Sequence, residues 1–157
     1  MKTLITPQQV QRHAFAGLEP LAATAISVAD IAAAESAWLR PVVGAAMHEA
    51  LLEGRYADFV SDYLTTALAL ATRMLIQSRL DLRTTPLGTL SPKADNGSPA
   101  DQAALNRLHT NLRHEVSILL RRASDYLDEH AEAFPEYDLH ENILHRCMTD
   151  GGFVQIF

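Results

Sequence analysis

The run Arg55–Arg83 constrains this chain most, because its apolar residues recur at helical spacing on nearly every side. Phe59, Tyr63, Leu70 and Met74 are joined there by Val60, Leu64, Ala67, Ala71, Leu75 and Leu82. A helix that is apolar all round has to be covered by other elements on several sides. Its most apolar stretch, Tyr63–Ile76, is interrupted by Arg73 and falls short of the about 18 residues a membrane span needs. The expectation is a buried core helix and no membrane partner.

A second long helix is expected from Ser98-Pro99, a cap followed by proline, to about His130. Leu105, Leu108, Leu112, Leu119, Ala123 and Tyr126 form its apolar face, broadened by Val116, Leu120 and Leu127. Asp101, Arg107, Arg113, Arg121, Arg122, Asp125 and Asp128 supply a solvated side. Between the two helices lies the loop Thr84–Ser98, with Pro86, Gly88, Pro92 and Asn96-Gly97. Loops this long in a small domain are commonly functional or mobile.

Shorter helices surround this pair. Thr6-Pro7 opens one through about Phe15, and Gly17–Thr24 reads as a connection. Ser27, with Asp30 three residues on, caps another, which carries Ile31, Ala34 and Trp38. Pro41 disfavours continuing it, so Leu39–Gly44 reads as a break or kink. Ala45–Glu53 follows with Met47, Leu51 and Leu52 and stops at Gly54. After Pro135, Leu139–Met148 reads as a last short helix closed by Gly151-Gly152. The tail Phe153–Phe157 alternates large apolar residues around Gln155. Adding to a sheet edge, docking on a neighbour and folding onto its own core all remain open for it.

The fold class is therefore all-α. It is a helical bundle built on two long antiparallel helices, with shorter packed helices and a possible short C-terminal β-strand. The 157 residues fit one domain, 1–157, with an N-terminal arm and short helix at 1–26, the loop at 84–98 and an apolar tail at 150–157. Met1–Thr6 has one lysine and no apolar run, which argues against a signal peptide. A net charge of −6 argues against free nucleic acid as a main partner. Arg73, Arg79 and Arg83 are the best candidates for such contacts, and only Arg79 and Arg83 surely share a face. The single cysteine, Cys147, cannot form an intrachain disulfide and reads as a small apolar residue on the last helix.

No pattern of catalysis or metal binding emerges. His140-Glu141 with His145 is one residue too long for a zinc-binding helix pair, and His109 with His114 has the same spacing. Two ligands five apart sit about 140° from each other on the helix cylinder. No glutamate has a histidine three positions later, and His13 and His48 are isolated. There is no nucleophile elbow around Ser61 or Ser117, and Gly88 and Gly97 are too sparse to cradle a phosphate. No catalytic, cofactor-binding or metal-binding residue is assigned, no cofactor is expected, and the chain is read as not an enzyme.

The run Ile31-Ala32-Ala33-Ala34-Glu35-Ser36-Ala37-Trp38-Leu39-Arg40-Pro41-Val42-Val43-Gly44 resembles a helix–Pro–x–x–Gly opening found in small helical proteins of tailed phages and prophages. The Tyr56–Arg83 helix, the Gly/Pro loop and the Ser98–Glu132 helix leading to Phe134-Pro135-Glu136-Tyr137 fit the same layout. Over about residues 27–137 the chain resembles the head–tail connector (adaptor, head-completion) group, including its uncharacterised prophage relatives. The resemblance implies a helical bundle with a structural, non-enzymatic role. Copies would form a homo-oligomeric ring between portal and tail proteins, at the head–tail junction of a virion made in the bacterial cytoplasm. It brings no catalytic residues.

Ring proteins need segments that adapt on assembly. Pro86, Leu87 and Leu90 in the loop and Phe153, Val154, Ile156 and Phe157 in the tail are the candidate subunit contacts. Two rival readings stand beside this one. A small helical adaptor or regulatory module would bind a protein through a groove. An enzyme would need a pocket with convergent polar groups, for which His109, His114 and Glu115 are the nearest candidates.

Overall fold

Helix starts in this protein are set by side chains that satisfy the free N–H groups of the first turn. In the computed structural model, residues 2–15, 25–81, 83–85, 88–90, 101–150 and 153–156 are described, with side chains at 2–15, 25–80 and 101–146. Helix α1, Pro7–Ala14, opens with a capping box. Thr6 Oγ1 accepts from Gln9 N at 3.3 Å and Gln9 Oε1 accepts from Thr6 N at 2.8 Å. Helix α2, Val28–Ala34, repeats the device with Ser27 and Asp30.

The break or kink expected over Leu39–Gly44 falls at the end of that span and not at Pro41: the helix passes through a π turn, Glu35–Leu39, and α3, Arg40–Val43, and stops at Gly44. The reason is local. Proline has no N–H and collides with the carbonyl four residues back. Widening the ladder, so that Arg40 N donates to Glu35 O, accommodates Pro41 inside the helix. The true stop is Gly44, at φ +82°. Helix α4, Ala45–Leu52, follows, and then a turn with Gly54 at φ +94° and Tyr56 at φ +59°.

The core helix is assembled from α5, Ala57–Phe59, a π turn at Val60–Leu64 and α6, Thr65–Asp81. Leu64, Ala67, Leu68, Ala69, Ala71 and Ile76 are buried on several sides, as its composition predicts, but Leu75 is 43% exposed, so the cover is incomplete. Helices α1, α2 and α7 (Gln102–Glu129) all pack along α6. Each Leu or Ile buried there contributes about 1.5–3 kcal/mol relative to exposure. The helix Ala57–Leu80 is long and apolar enough to cross a membrane by length and composition, which the shorter stretch Tyr63–Ile76 does not suggest. Of its most apolar window, 61% is buried inside the protein, as suits a core helix.

Helix α7 begins later than expected, with Asp101 Oδ1 accepting from Ala104 N at 2.7 Å; Ser98-Pro99 lies outside the described residues. Its Leu112, Val116, Leu120, Ala123 and Leu127 are buried. Phe59 and Tyr63, at the start of the first long helical run, stack on Tyr126, near the end of the second.

The expected last helix over Leu139–Met148 is absent. A single 3-10 turn, Ile143–His145, stands there, followed by strand β3, Cys147–Asp150, so Cys147 is on a strand. Asn142 Oδ1 accepts from Leu144 N at 2.9 Å and Asp138 Oδ1 accepts from His140 N at 2.8 Å. These local bonds occupy the backbone groups a helix would use. We number the strands in chain order: β1, Arg83–Thr85, pairs antiparallel with β2, Gly88–Leu90, and β3 pairs with β4, Phe153–Ile156. The fold is thus mostly helical, with two short hairpins at its margins.

Two arginines considered for nucleic-acid contact are engaged internally. Arg73 lies 4.5 Å over the Phe15 ring and donates to Ala14 O, a cation on the negative end of α1. Arg79 holds Asp30 through two bonds of 3.1 and 2.7 Å. Arg79, aided by Ser27, lowers the Asp30 carboxyl from 3.8 to about 2. A depressed carboxyl contributes stability that is present above its unfolded value and lost as pH falls. Asp30→Asn should therefore flatten the loss of stability between pH 4 and 2 in urea titrations, and the effect should not exceed about 1 kcal/mol because Arg79 is largely solvated. An unchanged acid limb would refute this role.

Candidate functional site

Three constellations of polar or aromatic side chains stand out among the described residues. The first surrounds the Pro41–Gly44 corner. Glu35, on the π turn, is 1% exposed. Its Oε1 accepts from Leu4 N at 2.7 Å, and its Oε2 lies 3.7 Å from His48 Nε2. That nitrogen is buried and has no hydrogen-bond partner among the described residues, the separation from Glu35 being too long for one. On the other side of the corner, Glu141 Oε2 accepts from Ala45 N at 3.2 Å, capping α4 from nearly a hundred residues away. A Cβ on Gly44 would come within 2.6 Å of that oxygen. The positive φ favours glycine here, and a Cβ would in addition push the flexible Glu141 carboxylate off Ala45 N.

The second constellation fastens the segment after α7 back onto it. Buried Asn142 donates through Nδ2 to Ser124 Oγ at 2.7 Å and to Tyr137 Oη at 2.8 Å. Tyr137 donates in turn to Asp128 Oδ1 at 2.7 Å, and burial, ahead of its hydrogen bonds, pushes its phenol up to about 12. His145 Nε2 lies 2.9 Å from Asp128 Oδ2 and 3.4 Å from Ser124 Oγ. Serine, histidine and aspartate side by side invite comparison with a hydrolytic triad. The comparison fails on geometry: a triad uses one ring nitrogen for the carboxylate and the other for the hydroxyl. Here both partners share Nε2, and Ser124 is 1% exposed. The group is a clamp.

The third is aromatic. Tyr63 and Tyr126 stack at 4.4 Å, Tyr126 and His130 at 4.2 Å, and Phe59 and Tyr56 pack on Phe134 at 5.4 and 4.8 Å. Arg122 lies 4.8 Å over Tyr63. Tyr56 donates to Glu136 Oε2 at 2.6 Å, a bond that holds the Glu136 carboxyl below its usual range, and Arg55 pairs with Glu136 from the other side. Arg55 and Tyr56 thereby lock the left-handed turn against the Phe134-Pro135-Glu136 corner.

A surface groove of about 380 Å³ runs between the N-terminal segment and α5, with Lys2, Gln9, His13, Arg55 and Ser61 on its walls. His13 Nδ1 lies 3.3 Å from Thr66 Oγ1.

Of the candidate subunit contacts, Pro86, Leu87 and Phe157 lie outside the described residues. Leu90 is on β2, and Phe153, Val154 and Ile156 are on β4, described by their backbone. The tail's β4 pairs with β3 of its own chain. His109, His114 and Glu115 are exposed along α7, and among the described residues no group of three His, Cys, Asp or Glu side chains could hold a metal. Ser117 Oγ donates to Arg113 O within its own helix. Residue pattern alone does not signal the roles of Glu35, Ser124, Glu141 and Asn142, although Glu141 enters the rejected zinc spacing. A charged residue amid the apolar run Ile31–Trp38 was the one available signal, and it pointed to Glu35 alone.

Comparison with known proteins gives one family. A model described as a family of unknown function (DUF6712) matches residues 41–146, from Pro41 to the end of the Asn142–His145 clamp. No curated protein and no solved structure matches.

Proposed function

We propose that this chain, which belongs to the DUF6712 family of unknown function, is a non-enzymatic structural subunit of a phage or prophage particle. Copies form an oligomeric ring that joins head and portal to tail. The observation that carries this reading is the Pro41–Gly44 corner. The pattern on which the connector resemblance rests is built into the fold as an architectural joint, held by Glu35 on one side and Glu141 on the other. Two long helical runs, read as antiparallel from the Tyr63–Tyr126 stack, supply the bundle. The polar groups beside them are spent on fastening segments together, as a structural subunit requires.

The groove beside α1 and α5 favours a second reading, a helical adaptor that binds a partner protein there. Native mass spectrometry over a concentration series, followed by negative-stain imaging, separates the two. Closed rings are the expected result, because heterologous contacts close when the rotation between subunits allows it. A monomer or dimer throughout the series, with saturable binding of one partner at the groove, would replace the ring reading with the adaptor.

A further inference from the structure

Helix α7 carries its charges in two blocks. From Gln102 to Arg122 lie Arg107, Arg113, Arg121 and Arg122, against the single acid Glu115. From Asp125 to the helix end lie Asp125, Asp128 and Glu129, with Glu132 in the turn just beyond and no lysine or arginine among them. The acidic end opposes the helix's own dipole. A helix stabilises itself with acids near its N-terminus and bases near its C-terminus. In α7 the first turn holds no acid and the last turn no base. Only the acids near the C-terminus, Asp125, Asp128 and Glu129, act against the dipole; Arg107 to Arg122 lie outside both terminal turns, so the helix itself does not call for their placement.

The two blocks are also free to act. Arg107, Arg113 and Arg121 are exposed and make no ion pair among the described residues. Arg107, His114 and Arg121 recur every seven residues, so they form one ridge about 21 Å long at 1.5 Å per residue. At the other end, the stacking of Phe59 and Tyr63 on Tyr126 brings the α5 turn beside the end of α7. Asp58 and Asp62, chain neighbours of Phe59 and Tyr63, thereby lie at the end of the molecule that carries Asp125, Glu129 and Glu132, where Arg122, over Tyr63, is also found. All five acids are exposed and make no ion pair among the described residues.

We infer that the Arg107–Arg121 ridge of one copy docks on the acidic end, Asp58, Asp62, Asp125 and Glu129, of the next copy. This rests on the ring reading and gives it an interface. The contact joins two different patches, so it is head-to-tail, the kind that closes into a ring. A second copy fits better than nucleic acid. The chain is net −6, and the ridge offers far fewer cations than the roughly 6–10 phosphate contacts that give duplex affinity. The acidic end has no counterpart on DNA.

The experiment is sedimentation velocity and native mass spectrometry on the full chain, with two charge reversals and their combination. All these positions are solvent-exposed, and unchanged circular dichroism and melting temperature will show that each variant folds. Arg107→Glu/Arg121→Glu and Asp58→Arg/Asp62→Arg should each weaken self-association by about 10-fold or more. The variant carrying all four reversals restores complementarity and should regain assembly. Association of the wild type should fall as salt rises from about 0.05 to 0.5 M. Rings that survive Arg107→Glu/Arg121→Glu would overturn this interface and leave the ring reading intact. A wild type that stays monomeric through the micromolar range at low salt would overturn both. Binding of a short DNA duplex that is lost with Arg107→Glu/Arg121→Glu, without self-association, would assign the ridge to nucleic acid instead.

Discussion

Replacing Asn142 by alanine is expected to lower the unfolding free energy by about 2–4 kcal/mol. The side chain is fully buried and makes three bonds: it donates to Ser124 Oγ and Tyr137 Oη and accepts from Leu144 N. Removing it leaves the part-buried Leu144 amide without its acceptor and the Ser124 and Tyr137 hydroxyls without this donor, and the cost of such orphans exceeds the net value of the bonds themselves. Asn142→Asp keeps the acceptor for Leu144 N but loses both donations and sets a carboxylate near Asp128, so it should be at least as damaging. Urea unfolding measures both. A loss for Asn142→Ala below about 1 kcal/mol would mean that Tyr137 and Ser124 find other partners, and the clamp would not be what holds residues 137–146 to α7.

Gly44→Ala is the second large effect, expected to cost about 1–3 kcal/mol from backbone strain at positive φ alone. The new Cβ also meets the Glu141 carboxylate, whose displacement uncaps α4 at a cost of about 1 kcal/mol. The two parts separate in a double-mutant cycle. Glu141→Ala removes the collision as well as the cap, so Gly44→Ala should cost less in that background than in the wild type. Strict additivity would show that Glu141 swings aside freely and that strain is the whole effect.

Much of the helical framework is legible in the sequence because it rests on neighbours in the chain. Thr6 with Gln9 and Ser27 with Asp30 each form a cap within four residues, and the spacing of Leu112, Val116, Leu120, Ala123 and Leu127 already marks the buried face of α7. What escaped reading depends on competition or on distance. Pro41 signals a break, yet a five-residue π turn absorbs it, and nothing in residue type separates the two outcomes. Leu139–Met148 has helical apolar spacing, but Asn142 and Asp138 capture the backbone amides first. The corner and the clamp join residues far apart in the chain, Gly44 with Glu141 and Ser124 with Asn142, and periodicity carries no information about such pairs.

The match to the family begins at Pro41, whereas α1 and α2 lie before it and both pack along α6. Ile5, Val10, Phe15 and Ile31 are each almost wholly excluded from solvent. The stretch by which kinship is recognised is therefore smaller than the stretch that shares one buried core. Cut at the family boundary, the polypeptide would present α6's oily flank to the solvent.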